Sequence, residues 1–529
     1  MNERPVTLRE QLLALAHDEG VGVRFGSASW SWRRHIAGAD RRARALASML
    51  SPDRPPHVGL LMDNTPEMVS QLAAAGLGGH VVVGLNTTRR GSALAADIAA
   101  SDCQVIVTEP GPAALLDGLS LDIPVIDAST HNWEAGPSWW AASIDPDTLF
   151  MLIFTSGTSG DPKAVRVTHE KVTVPGVLLS GRFGLTHDDC CYLSMPLFHS
   201  NAVMAGWALA VASGATMGLA KKFSATHFLD DVREYGATYA NYVGKPLSYV
   251  LATPARAQDA ENPLRLVFGN EANERDIAAF ASRFACEVVD SYSSTENAVI
   301  VQRLPGMPPG SLGRGLPGVE VLSSDTGERV PDAVFDSTGA LLNGDEAVGE
   351  LVNTSGAGAF AGYYNNEAAD LERMRGGMYW SGDLAYRDAS GWLYFAGRTA
   401  DWLRVDGENL AAAPIERILM RHASIAQAAV YAVPDDSVGD QVMAALWLAP
   451  EAASSSQDAP RAGLTPEEFE TFLAAQDDLS GKAWPRFVRL LDELPQTATH
   501  KILKRELARG GASAATWVRA ERGTSYSPT

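Results

Sequence analysis

Apolar positions in the first third of the chain fall into short unbroken runs separated by helix-spaced, Ala-rich stretches. His57–Met62, Val81–Asn86, Gln104–Thr108 and Pro124–Asp127 are such runs. Each is short enough to read as a strand buried on both faces. Leu8–His17 has the spacing of an amphipathic helix, and Pro66–Leu77 lies helix-like between two of the runs. This alternation predicts an α/β unit around a largely parallel sheet. In Thr148–Val167 an apolar run, a Gly/Ser/Thr loop and a second run predict strand, loop, strand. Helix-like and strand-like segments alternate again from Val172 to about Val289.

The texture changes between about Arg314 and Arg398. Gly, Asp and Ser turns there separate short alternating runs such as Gly349–Val352 and Trp392–Phe395, which predicts a small strand-rich unit. Beyond Arg398 the pattern is α+β: a helix over Ile415–Arg421, then strands over Ala428–Val433 and Val442–Leu448. Glu451–Gly463 reads as a polar Ala/Ser/Pro linker, and Pro466 opens a helix at a position that tolerates proline. The last twenty or so residues, from Gly510, read as a loosely held end. A chain of 529 residues suggests roughly three to four compact units.

Composition narrows the picture. Hydrophobic residues are 46% and charged residues 20%, which is ordinary for a globular chain and excludes a mostly disordered one. The net charge of −20 argues against a surface that coats nucleic acid or an anionic bilayer. It leaves room for an anionic small ligand at a local site. Only eight of the 43 basic residues are Lys, so each Lys position is informative. The four Cys form no CxxC and no Cys/His ligand spacing, which suits a reducing, cytoplasmic setting. The N-terminus does not read as a signal peptide. Ala202–Ala220 carries no charge, precedes Lys221-Lys222 and is long enough to span a membrane. Its Ala, Gly, Ser and Thr content, and Gly214 within it, predict a buried helix followed by a buried strand instead.

The strongest local chemistry is Thr155-Ser156-Gly157-Thr158-Ser159-Gly160-Asp161-Pro162-Lys163. Hydroxyls and glycine N–H groups can wrap phosphate oxygens, and Lys163 adds a cation. No Gly-Lys-Ser/Thr closes it and a strand follows, so it is not a Walker A loop. A flexible hairpin turn is the other reading of the same composition.

Five further segments follow in order. Gly269-Asn270-Glu271-Ala272 comes first, then Ser291-Tyr292-Ser293-Ser294-Thr295-Glu296 after Asp290. Tyr379-Trp380-Ser381-Gly382-Asp383 is next, then Gly397-Arg398-Thr399-Ala400-Asp401 with Gly407-Glu408-Asn409-Leu410 behind it. The last is Pro495-Gln496-Thr497-Ala498-Thr499-His500-Lys501-Ile502. With the Thr155–Lys163 loop, these six segments resemble, in order, the motifs of the adenylate-forming superfamily, which includes acyl-CoA synthetases, peptide-synthetase adenylation domains and luciferases. The resemblance covers nearly the whole chain. It implies a large N-terminal AMP-binding domain over 1–400, made of α/β subdomains with a small β-rich subdomain. It also implies a smaller, mobile α+β C-terminal domain over 401–529, hinged at Asp401.

The resemblance also implies roles. Attack of a carboxylate on the α-phosphate of ATP brings two anions together, so positioning and preplaced positive charge are the effective remedies. Thr155, Ser156, Gly157, Thr158, Ser159, Gly160 and Lys163 would bind phosphate. Gly269, Asn270, Glu271, Asp290, Ser291, Tyr292, Ser293 and Ser294 would form the adenine side, with Tyr292 stacking or else lying in the core. Thr295 would donate to the α-phosphate, or cap a helix. Glu296 would hold Mg²⁺. Asp383 would accept the ribose hydroxyls, or sit in an ordinary turn. Arg398 would bind ribose or phosphate, or form a surface ion pair. His199 would orient the acid or gate access to it, or be a satisfied loop histidine. Lys501 would bridge carboxylate and phosphate, with Lys504 a surface residue. Gly407 would let a thiol arm approach closely.

Ser293 replaces the glycine many members carry, and His500 replaces the glycine before the lysine. Together with Phe198–Ala202 and Gly269–Glu271, these departures look like the fatty-acid-transport-protein-like branch. The activity so implied is an AMP-forming acyl-CoA ligase using ATP, Mg²⁺ and CoA on a fatty or other bulky apolar acid, including a sterol side-chain acid. An enzyme that loads a carrier protein, or a non-catalytic nucleotide-binding relative, is the alternative. Expected partners are small molecules, with no nucleic acid and no transmembrane segment. Peripheral membrane contact, and a monomeric or homodimeric state, stay open.

Overall fold

A computed structural model describes residues 7–155, 162–272, 274–335, 341–398, 402–405, 408–435, 439–448, 464–476, 479, 481–496, 502–520 and 523–529. The chain divides into two compact units. One comprises residues through Asn297 together with Ala359–Glu372, the other Ala298–Gly358 with the chain from Arg373 onward.

The first unit is built on two sheets. Six strands run in the order Val125–Asp127, Val105–Thr108, His57–Leu61, Val81–Gly84, Leu149–Thr155 and Lys163–Thr168. Seven run in the order Glu287–Asp290, Leu266–Asn270, Tyr239–Val243, Cys190–Leu193, Thr216–Leu219, Val21–Phe25 and Ala28–Ser31. Every neighbouring pair is parallel except the last pair of each sheet. All five positions of His57–Leu61 are buried, as are all four of Val81–Gly84 and of Val105–Thr108. The unbroken apolar runs therefore have a direct cause: both faces of these strands are covered.

The helices follow local signals. Leu8–Ala14 begins in a capping box between Thr7 and Glu10 and ends three residues before the predicted end. Pro66–Gly78 has Thr65 as N-cap, Pro in its first turn and a left-handed Gly79 behind it. The uncharged stretch folds as predicted. Ser200–Ser213 is helical, with a π-helical stretch over Val203–Trp207, and Thr216–Leu219 is a strand. Between them Gly214 takes φ +73°, which a side chain would resist, and its carbonyl accepts the Trp32 indole N–H at 2.9 Å. Among the described residues no helix is long and apolar enough to cross a membrane. All four Cys are unbridged and buried. Burial pushes the thiols of Cys103 and Cys286 up to about 12 and that of Cys190 to about 11.

The second unit holds the predicted strand-rich region. Val319–Leu322, Gly349–Asn353, Met378–Arg387 and Met374–Arg375 form an antiparallel sheet, and Leu393–Arg398 pairs with Met378–Arg387. A second sheet runs Glu408–Ala411, Trp402–Val405, Gly439–Leu448, Phe487–Leu491, Trp517–Arg519 and Tyr526–Pro528, with Ile425–Asp435 beside Gly439–Leu448. Ala412–Leu419 and Pro466–Ala474 are its predicted helices. The linker over Glu451–Gly463 lies outside the described residues.

Two expectations are corrected here. The end of the chain is not loosely held: Trp517 and Tyr526 are buried and pack their rings on Phe469. The Tyr526 hydroxyl donates to the Pro485 carbonyl at 2.7 Å, so two aromatic side chains anchor a terminal hairpin. Lys504 is not a free surface residue either. It opens the helix Lys504–Ala508 and pairs with Glu416 at 2.9 Å, both side chains about four-fifths covered.

Burial also predicts acid sensitivity. His35, His80 and His169 in the first unit are buried, which lowers each imidazole to about 4. The unfolded chain binds these protons near 6.5, so the stability present above 6.5 is lost as pH falls toward 4. The urea midpoint should be lower at pH 5 than at pH 7, and His80→Leu should lessen that difference. Equal midpoints at the two pH values would refute the assignment.

Candidate functional site

Three adjacent parallel strands of the first unit, Tyr239–Val243, Leu266–Asn270 and Glu287–Asp290, end at one edge of their sheet. Ligands of open parallel sheets bind at such carboxyl ends. Tyr242 lies opposite Gly269, and Gly269 opposite Asp290. A side chain at Gly269 would stand 2.2 Å from the Tyr242 carbonyl and 2.5 Å from its ring, so only glycine lets the strands meet here. The Tyr242 hydroxyl donates to Asp290 Oδ2 at 2.6 Å, and the Ala272 N–H donates to the same oxygen at 2.9 Å. Glu271 between them holds φ +70°, a left-handed conformation for a non-glycine residue. Buried Asn270 donates its amide to the Ser291 carbonyl at 2.5 Å and to Ser291 Oγ at 3.1 Å. The seven residues Asp290–Glu296 thus leave the sheet edge tied to Asn270, with Tyr292 and Ser294 half-buried and Ser293 exposed.

Thr295 and Glu296 are gripped from other elements. Thr295 Oγ1 lies 2.9 Å from Ser200 Oγ, at the start of the helical stretch that contains the π-turn. Glu296 Oε1 accepts the Tyr363 hydroxyl at 2.8 Å. Its backbone carbonyl accepts the Lys171 ammonium, also at 2.8 Å. His199 is half-buried beside Phe198, ring centroids 4.6 Å apart, and its backbone N–H donates to the Pro196 carbonyl at 3.0 Å. It therefore stands next to the Ser200–Thr295 contact in the chain.

The flanks of the Gly/Ser/Thr loop form the predicted strand pair. Thr155 and Lys163 face each other across it, and 156–161 lie outside the described residues. Lys163 is buried, pairs with Glu372 at 2.7 Å and has its ammonium 5.4 Å from the Tyr363 ring centroid. Tyr363 is brought in by backbone pairing to the strand after Lys163: Arg166 N–H donates to Gly362 O at 3.0 Å and Tyr364 N–H to Ala164 O at 2.8 Å. One tyrosine thus touches Lys163 with its face and Glu296 with its hydroxyl. Sequence reasoning missed Tyr363 and Lys171. The scarcity of lysine was a usable signal for Lys171, whereas nothing local distinguishes Tyr363 from the Tyr364 beside it.

In the second unit Asp383 and Arg398 are cross-strand partners, with Nε and Oδ1 3.3 Å apart. Asp383 is buried and Arg398 is exposed. The fold therefore unites the two proposed ribose ligands, which are fifteen residues apart in sequence. The Gly382 N–H beside them donates to Glu350 Oε1 at 2.7 Å. Ser156, Gly157, Thr158, Ser159, Gly160, Asp401, Gly407 and Lys501 lie outside the described residues.

Burial lowers the Lys171 ammonium to about 8, with the nearby Glu296 carboxylate opposing that shift. A cation with 3% exposure, held on the backbone of a half-buried carboxylate residue, fixes where that carboxylate stands. The site can offer hydroxyl donors and the Lys163 cation to an anionic ligand, and one oriented carboxylate to a cation.

The chain is similar to known proteins along almost its whole length. The family described as AMP-binding enzyme matches residues 14–364, and the AMP-binding enzyme C-terminal domain matches 414–501. The chain is 50% identical over 518 residues to the medium/long-chain-fatty-acid–CoA ligase FadD17 of Mycobacterium marinum, covering 96% of each chain. It is 43% identical over 514 residues to the steroid-22-oyl-CoA synthetase of Rhodococcus jostii, covering 95% of this chain and 90% of the other. The crystal structure of ATP-bound MatB from Rhodopseudomonas palustris superposes with a TM-score of 0.80 at 20% identity, covering 95% and 98%. That last likeness establishes the mixed α/β fold.

Two outcomes are expected. Gly269→Ala should cost about 1–3 kcal/mol in urea unfolding, because the new methyl meets a neighbouring strand's backbone; an unchanged midpoint would contradict the close approach. Lys171 in the folded chain releases its proton near 8 and in the unfolded chain near 10.5, so its contribution to stability rises with pH across that window. Wild-type protein should gain stability relative to Lys171→Met between pH 7.5 and pH 10, and parallel pH dependences would refute this.

Proposed function

Because the chain belongs to the AMP-binding enzyme family, we propose that it joins a carboxylic acid to CoA in two steps: ATP and the acid give an acyl-adenylate and pyrophosphate, then CoA takes the acyl group and AMP leaves. The observation that carries this reading is likeness at 50% identity along almost the whole length of a relative named as a fatty-acid–CoA ligase. The enzyme is an AMP-forming acid–thiol ligase. Its substrate is a medium- or long-chain fatty acid, or a sterol side-chain acid of comparable bulk. Support comes from the names of the two relatives and from the buried, uncharged helical stretch that follows His199.

Each residue has a task in this reading. The Thr155–Lys163 loop holds the phosphates by its hydroxyls, N–H groups and the Lys163 cation. Thr295 donates its hydroxyl to the α-phosphate, whose charge rises in the transition state. Tyr292 faces adenine, Asp383 accepts the ribose hydroxyls, and Arg398 keeps the Asp383 carboxylate in place while donating to ribose or phosphate. His199 orients the acid. Glu296 suits Mg²⁺: it is a hard carboxylate whose orientation Tyr363 sets and whose backbone Lys171 ties. When bound there, Mg²⁺ supplies charge screening for the phosphates. Lys501 neutralises charge during adenylation and withdraws for the thiol step. The reading takes 1–400 as the AMP-binding domain and 401–529 as a mobile domain turning at Asp401, with Gly407 clearing the path of the thiol. The four unbridged Cys support a cytoplasmic setting.

The test is pyrophosphate release from Mg-ATP with a panel of short, long, aromatic and sterol acids, with and without CoA, the thioester being checked by mass. Acyl-CoA from a long-chain or sterol acid is expected. Pyrophosphate without thioester would remove CoA as the acceptor, and no pyrophosphate with any acid would remove the ligase reading. Glu296→Gln should raise the Mg²⁺ needed for half-maximal rate by about tenfold or more. Lys501→Ala should slow adenylation by about a hundredfold while sparing thiolysis of a supplied acyl-adenylate.

A further inference from the structure

The Asp290–Glu296 stretch is held near both ends by two consecutive residues of one helix start. Ser200 meets Thr295, Oγ to Oγ1 at 2.9 Å. Asn201 next to it donates its amide to Asn270 Oδ1 at 3.1 Å, and Asn270 passes its own amide N–H groups to the Ser291 carbonyl and hydroxyl. Asn201 also donates to the Tyr242 carbonyl at 3.0 Å. Its side-chain carbonyl in turn accepts the Asn241 amide at 2.7 Å. Asn241, Asn201, Asn270 and Ser291 thus form one directional chain of amide donors and acceptors, and Asn241 and Asn270 are buried.

This chain closes a ring. From Ser291 the backbone runs to Thr295, then through the hydroxyl contact to Ser200, along one peptide to Asn201, and back through Asn270 to Ser291. Tyr292, assigned to adenine, and Thr295, assigned to the α-phosphate, are links of the ring. His199, assigned to the acid, is the residue before Ser200. The donor and acceptor order leaves little freedom, because a buried amide that loses its partner is left with its desolvation cost uncompensated. The helix start and the nucleotide stretch should therefore shift together or not at all.

We propose that Asn201 is a positioning residue that couples the two substrates: through Asn270 and Ser291 on one side and Ser200 and Thr295 on the other, it makes the acid side of the site and the ATP side a single ordered body. The inference rests on the acyl-ligase reading above. It requires ATP and acid to tighten each other's binding, since the first ligand orders what the second must meet. It also gives a physical reason why the two branch-like segments, Phe198–Ala202 and Gly269–Glu271, occur together: each supplies one asparagine to the same hydrogen bond.

The test is calorimetry on the full chain, with dodecanoate as the acid and α,β-methylene-ATP with Mg²⁺ as a nucleotide that cannot react. In wild-type protein each ligand should tighten the other by about fivefold or more. Asn201→Leu keeps the branched side-chain shape and removes the amide. Its coupling ratio should fall to within about twofold of one, while each ligand alone binds within about threefold of its wild-type affinity. Asn201→Ser, too short to reach Asn270, should give the same result and serves where the leucine variant does not fold. A residue that merely supports the fold would weaken both ligands and leave their ratio intact, which would overturn the proposal. A wild-type ratio near one would overturn it as well. Failure of the ligase reading shows separately, as wild-type protein that makes no acyl-CoA from any acid.

Discussion

The close parallel pairing of Tyr239–Val243 with Leu266–Asn270 is the contact on which the candidate site depends. Gly269 has no side chain, so the Tyr242 carbonyl and ring can lie against it. That approach sets Asn270 and Asp290 at neighbouring strand ends, within reach of Tyr242, Ala272 and Ser291. Everything further out inherits its position from this edge. The stretch to Glu296 starts there, the helix start at Ser200 is tied to it, and Tyr363 and Lys171 close around its far end.

Charge is placed sparingly. The chain is strongly acidic overall, yet Lys163 and Lys171 are buried. Lys163 is matched by Glu372, and Lys171 by a backbone carbonyl. A buried cation without such partners would be costly. These two are held by groups that also fix their direction. In the second unit Asp383 and Arg398 use the same device, each restraining the other across a strand pair.

Much of this was legible beforehand, for identifiable reasons. Runs such as Val81–Gly84 announced parallel strands because both of their faces are covered. The strand pair flanking Thr155 and Lys163 was legible because two apolar runs enclose a Gly/Ser/Thr stretch of turn-forming residue types. Tyr363 was not legible: its importance comes from a backbone pairing with the strand at Ala164–Arg166, some two hundred residues earlier, and no local pattern encodes that. The terminal hairpin was misread because polar Gly, Ser and Thr surround the two aromatic side chains that anchor it. Lys504 was misread because its partner Glu416 is distant in sequence.

The first unit takes its final piece, Ala359–Glu372, from beyond a long excursion of the chain through Ala298–Gly358. During synthesis, the strand Lys163–Thr168 is made long before the segment that pairs with it. At ~5–20 residues per second, that interval lasts roughly ten seconds or more. Until then one edge strand lacks its neighbour, and Lys163 lacks both its carboxylate and the aromatic face above it. The nascent first unit is therefore an unfinished structure along the edge that carries Lys163, and a truncation just after Asn297 would leave it so permanently.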